Sequence, residues 1–189
     1  MKYLSLLFLS MLVLATSCKK DEPDPQVQNL LFWDGENNTA PAFPAGQEYE
    51  PAVFFPSSVT SDFTARQLIA VDFVAYTPPA RGTVFVYEGG SNSPTNIIAE
   101  QSFTASDLRD NSWNRIEFSN PATINGTNLW IGINFELTSQ QQVIGCDAGP
   151  NQSGGDWLYE SNDNSWRTYR DRSGGESINW NIRGVVSEQ

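Results

Sequence analysis

Past residue 20 the chain shows no stretch with the apolar spacing of an α-helix. Short apolar runs alternate with turn residues instead. The cleanest run is Leu129, Ile131, Ile133 and Phe135, with Gly132 on the opposite side. A strand with period two fits this run and a helix does not. Ile69, Val71, Phe73 and Ala75 alternate in the same way against Asp72. Thr77-Pro78-Pro79-Ala80-Arg81-Gly82 reads as a turn, and Thr83 to Tyr87 as the returning strand of an antiparallel hairpin. Leu30 to Trp33, Ile97 to Phe103, Trp113 to Phe118 and Ser177 to Val186 are further strands. Ser106 to Asn111 is expected to form one helical turn capped by Ser106. The expected fold is all-β: a single antiparallel β-sandwich, jelly-roll-like, over residues 30–187.

Composition agrees and narrows the chemistry. Aromatics make up 12% of the 189 residues, including six Trp. Asn, Ser, Thr and Gly suit strands and turns. There are 22 acidic side chains against 11 basic ones, for a net charge of −11. Such a chain repels phosphate backbones, so nucleic acid is not an expected partner. The sequence contains no His, and Lys stands only at 2, 19 and 20. Triads that need imidazole, His-ligated zinc, Schiff-base lysines and P-loops are all excluded. Cys146 is the lone cysteine of the body, which rules out an intrachain disulfide there. It reads as a small buried thiol.

The first thirty residues read as an address. Met1-Lys2 precedes an apolar stretch, Tyr3 to Ala15, too short to span a bilayer. Thr16-Ser17-Cys18 closes it in the manner of a lipoprotein signal, with residues 1–17 removed and Cys18 lipidated. Cys18-Lys19-Lys20-Asp21-Glu22 resembles the surface-export signal of lipoproteins in Bacteroidota, which points to Lys20, Asp21 and Glu22. Residues 18–29 would then form a tether reaching about 30 Å at ~3.1 Å per residue. The expected location is the outer surface of the outer membrane, with the membrane held through the lipid.

Gly145-Cys146-Asp147-Ala148-Gly149-Pro150 and Gly154-Gly155-Asp156-Trp157 are the densest unusual segments. Asp147 and Asp156 could serve a calcium ion or stabilise turns through their own backbone. Their spacing matches no EF-hand loop, and turn stabilisation is the favoured reading. Several fragments in order resemble a jelly-roll module of secreted and surface proteins in Bacteroidota. They are Val84 to Gly90, Trp113-Asn114 with Ile116, Pro121 to Gly132, Cys146 to Pro150, Gly155-Asp156-Trp157 and Trp180 to Gly184. That module is similar to accessory domains beside peptidases and adhesins. The resemblance implies a non-catalytic, adhesin-like or carbohydrate-binding-like domain.

Sugar recognition needs flat aromatic faces and side chains that meet hydroxyls. Trp157, Trp166 and Tyr169, with Asn164 and Arg167, are the candidate ligand-binding set. Trp130 and Trp180 look core-packed. The alternative for Trp157 and Trp166 is that they cover the sandwich edge. Asn179, Asn181 and Arg183 form a polar ladder expected to be a solvated face. The leading functional expectation is a surface-exposed binding or adhesion lipoprotein for a glycan or protein ligand. A structural partner in an outer-membrane complex and a glycoside hydrolase working by carboxylates alone are the alternatives.

Overall fold

The computed structural model describes residues 29–188. The signal, Cys18, Lys20, Asp21, Glu22 and the tether up to residue 28 lie outside the described residues. The strands are β1 (Leu30–Leu31), β2 (Ala42–Phe43), β3 (Glu48–Phe55), β4 (Gln67–Ala75), β5 (Arg81–Glu88) and β6 (Asn96–Thr104). They continue with β7 (Ser112–Thr123), β8 (Leu129–Glu136), β9 (Gln141–Gln142), β10 (Trp157–Glu160), β11 (Ser165–Thr168) and β12 (Ile182–Val186). Two short helices, α1 (Ser57–Thr60) and α2 (Tyr169–Ser173), sit in connections.

The strands form a four-stranded sheet, β1-β12-β4-β7, a six-stranded sheet, β11-β10-β3-β8-β5-β6, and a short two-stranded pair, β2-β9. Every ladder is antiparallel. The chain passes back and forth between the sheets in a jelly-roll order, with the β10–β11 hairpin added beyond β3. One continuous core lies between them. Leu129, Ile131, Ile133 and Phe135 all point into it, as their alternation requires, and meet Leu68, Val71 and Phe73 of β4 there. Cys146 is fully buried, and burial pushes its thiol up to about 12, with the charges of Asp147 and Glu176 adding to the effect.

Four local expectations change. β4 and β5 do not form a hairpin: β4 pairs with β12 and β7, and β5 with β6 and β8. Pro78-Pro79 fixes two φ angles and removes two donors, and the segment carries the chain from one sheet to the other. Ile69 is 36% exposed because a bulge between Leu68 and Ala70 turns it outward. The helical turn is a 3₁₀ turn over Ala105–Asp107, capped by Thr104 with Asp107 in a reciprocal box. The last strand is only Ile182–Val186, and Asn179 and Asn181 are 1% and 0% exposed.

Those two asparagines belong to a buried polar layer. Asn181 Nδ2 donates to Asp34 Oδ2 at 2.8 Å, and Arg183 clamps the same carboxylate from outside at 2.8 to 3.1 Å. Asn179 bonds Asp147 through both its backbone and its side chain. A buried polar group survives only with its partners present. This explains why acids and asparagines recur beside the glycine-rich turns.

Candidate functional site

The outer faces of the two sheets differ. That of the four-stranded sheet carries ion pairs, Arg115 with Asp72 and Arg183 with Asp34. Arg183 also stacks on Phe32 and on the exposed Trp113, 4.1 Å from its ring centre, while Asp34 is buried, so this face is mixed and not simply solvated. The outer face of the six-stranded sheet is aromatic.

Register makes it so. Trp166 of β11 stands opposite Tyr159 of β10, and Trp157 of β10 opposite Ala52 of β3. Phe54 pairs with Trp130, and Trp130 with Tyr87 of β5. Opposed residues share a face, and so do residues two apart along a strand. Phe85 therefore joins Tyr87, and Glu50 joins Ala52 and Phe54. With strands ~4.8 Å apart, the row from β11 to β5 is about 20 Å wide.

Trp130 is the hub. It is fully buried, with ring centroids 4.7 Å from Phe54, 5.0 Å from Trp157 and 5.6 Å from Trp166. Tyr159 packs on Trp166 at 5.6 Å, and Phe85 on Tyr87 at 5.7 Å. Trp157, Trp166, Tyr159, Phe54, Tyr87 and Phe85 remain half-buried. The indole N–H groups divide in an informative way. Those of Trp33, Trp130 and Trp180 donate to the carbonyls of Phe54, Gly89 and Trp157. Those of Trp157 and Trp166 have no partner among the described residues. The first three are structural tryptophans; Trp157 and Trp166 keep a donor available on this face, as the exposed Trp113 does on the other sheet.

Glu50 lies beneath this row and is 4% exposed. Its Oε1 accepts the Tyr87 hydroxyl at 2.8 Å, and its Oε2 faces Asn134 Nδ2 at 3.4 Å. Gly132 makes room for it: a Cβ there would stand 2.1 Å from Glu50 Oε1. No cation is paired with it among the described residues. Burial pushes its carboxyl up to about 7, against the two hydrogen bonds and with help from the charge of Glu48. Burial and this neighbouring carboxylate also push the Tyr87 hydroxyl far up.

The expected ligand-binding set divides between two places. Trp157 and Trp166 stand on the aromatic face. Asn164, in the β10–β11 turn with φ of 47°, accepts the Tyr159 hydroxyl at 3.0 Å and so marks the end of that face. Arg167 stands opposite Leu158, at an inward position, and is tied to Glu160 at 2.5 Å and Asp163 at 2.6 Å. Tyr169 is buried, with its ring 5.3 Å from Trp180. Neither shares the face with the tryptophans.

Asp147 accepts four hydrogen bonds: Gly149 N and Asn179 N on Oδ1, Gly35 N and Asn179 Nδ2 on Oδ2, all between 2.7 and 2.9 Å. Burial alone would raise its carboxyl, and these bonds outweigh it and hold the group below the ordinary range. Asp156 accepts Arg170 N at 3.0 Å and is raised by its burial. Among the described residues no group of three or more His, Cys, Asp or Glu gathers as a metal site.

Sequence reasoning missed Glu50, Phe54, Phe85, Tyr87 and Tyr159; Trp130 is buried, as its core-packed reading expects, but on the outer side of β8. One signal was present: Val84-Phe85-Val86-Tyr87 is apolar on both sides of its strand, more than a solvated outer face requires.

No protein-family model and no curated protein sequence matches the chain. Among solved structures, the clostridial cysteine protease Cwp84 after propeptide cleavage superposes with a TM-score of 0.58 at 13% identity, over 89% of this chain and 42% of that one. A structure described as the cysteine protease and lectin-like domains of Cwp84, a surface layer associated protein of Clostridium difficile, gives 0.47 at 14% identity, over 75% and 32%. This chain spans less than half the length of either. The likeness to the first structure, at that identity, is one of fold: an antiparallel β-sandwich.

Proposed function

We propose that the protein is a non-catalytic binding module whose ligand surface is the aromatic outer face of the six-stranded sheet. The carrying observation is that Trp157 and Trp166 stand half-exposed on this face with unspent indole N–H groups, braced from below by Trp130. Flat rings with a polar edge suit a glycan, whose C–H faces stack while its hydroxyls find donors. Cwp84 is described as a surface layer associated protein with cysteine protease and lectin-like domains. A binding role at a cell surface agrees with that description.

A screen of the protein against a glycan array and purified matrix proteins tests this. Trp166→Ala is expected to weaken any binding found there at least tenfold while leaving the fold intact. Unchanged binding by a folded Trp157→Ala, Trp166→Ala double variant would overturn the placement of the site.

The address belongs to the same proposal. Lipid on Cys18 and export directed by Lys20, Asp21 and Glu22 would hold the sandwich outside the outer membrane. Protease shaving of whole cells is expected to remove the domain from the wild type. It should spare a variant with Lys20, Asp21 and Glu22 all changed to Ala.

A further inference from the structure

A groove of about 460 Å³ opens at the Trp157 end of the aromatic face. Its walls are two loops, residues 89–95 between β5 and β6 and residues 149–154 ahead of β10. Both walls are fastened from behind. Asn128 Nδ2 donates to Gly90 O at 2.8 Å, and Thr95 Oγ1 to Glu88 O at 2.6 Å. On the other side Gln152 N donates to the buried Asn179 Oδ1 at 2.6 Å, and Asn151 N to Ser177 Oγ at 2.7 Å. Phe54 N donates to Gly154 O at 2.8 Å, locking that loop onto the end of β3. The groove therefore exists before anything enters it, and its volume lies within the roughly 300–1,000 Å³ of small-molecule sites.

Its lining mixes two chemistries. Trp157 and Phe54 supply aromatic surface. Ser91, Asn92 and Ser153 are exposed on the rim, and their side chains bond no other described residue. Asp156, 1% exposed, backs the wall, its carboxyl already bonded to Arg170 N and to Asn151. The groove thus offers a ring platform, amide and hydroxyl donors, and acceptors, with no basic side chain in its lining.

We propose that this groove is a subsite for a neutral hexopyranose unit, with the Trp157 ring as platform and Ser91, Asn92 and Ser153 meeting its hydroxyls. The inference rests on the binding reading above and narrows its ligand class. A pyranose presents one apolar C–H face and a rim of groups that both donate and accept, which is the division this lining shows. An anionic sugar meets Asp156 and a chain of net charge −11 with no Arg in the groove to offset them.

NMR titration of the full chain with the methyl glycosides of glucose, galactose, mannose and N-acetylglucosamine, and with glucuronate, provides the test. At least one neutral glycoside should shift the Trp157 indole and the Ser91, Asn92 and Ser153 amides in a saturable way. Glucuronate should leave them in place. An Asn92→Ala, Ser153→Ala double variant should bind that glycoside at least tenfold more weakly with an unchanged melting temperature. Shifts confined to Trp166 and Tyr159 would overturn the groove and leave the aromatic-face reading standing. Binding of a matrix protein with silence toward every glycoside would overturn the sugar class alone. Silence toward glycans and matrix proteins alike would remove the binding reading and this inference together.

Discussion

Glu50 makes the aromatic face dependent on pH. A carboxyl raised from 4.5 to about 7 keeps its proton in the fold while the unfolded chain has lost its own. Its contribution is therefore complete below about pH 4.5 and is lost as pH rises through 7, by up to about 3 kcal/mol. Glu50→Gln stays neutral throughout. Urea titrations from pH 4.5 to 8 should show that variant gaining on the wild type as pH rises. Parallel stability curves would show that Glu50 ionises freely. Cys146 gives a second expectation at this scale. Fully buried and raised to about 12, its thiol should resist iodoacetamide at pH 8 in the native protein and react once urea unfolds it. Rapid native labelling would contradict the burial.

The elements differ in how openly the sequence shows them. β8 is plain because its inward residues are large and aliphatic, and each one decides the face by itself. β3 is obscured by Glu50 and Pro51, which no strand pattern favours. The β3–β8 register passes from Tyr49–Phe135 to Ala52–Gly132 over the pair, and the carboxyl finds room only because residue 132 is glycine. That pairing is non-local, which is why the centre of the candidate face escaped notice. Trp157 and Trp166 were visible as tryptophans among polar neighbours. Arg167 and Tyr169 are adjacent to them in sequence and separate in space, because one residue along a strand changes the face. The ladder of Asn179 and Asn181 alternates as a solvated face would, and only the acids Asp34 and Asp147 brought over it make it interior. Asp147→Ala should cost about 3 kcal/mol in urea unfolding, since it strands several buried donors at once. With the Asp147 oxygens taken by the protein's own N–H groups, millimolar calcium and EDTA should leave the melting temperature unchanged. A rise with calcium would restore Asp147 as a ligand.

Across the described residues, the jelly-roll order gives two outer faces built on one core: one sets Trp113 and Phe32 around Arg183, and the other carries a continuous aromatic cluster. That face is tied to the core through its own strands: β8 carries Trp130 outward while Ile131 and Ile133 point in. The two layers should therefore unfold together. Far-UV circular dichroism follows the sheets, and fluorescence follows all six Trp: the outer cluster of Trp130, Trp157 and Trp166, the core Trp180, and Trp33 and Trp113 elsewhere. In urea the two signals should trace one coincident transition. An earlier fluorescence change would mean that the aromatic face melts by itself. Substitutions then rank by depth. Trp130→Ala empties a fully buried site and should cost about 3–5 kcal/mol. Trp166→Ala removes a half-exposed ring from an edge strand and should cost far less. If the ranking holds and Trp166→Ala still removes ligand binding, Trp166 acts at the surface and Trp130 as its support. Equal losses of stability would mean that the face is a second core, with nothing left exposed to bind.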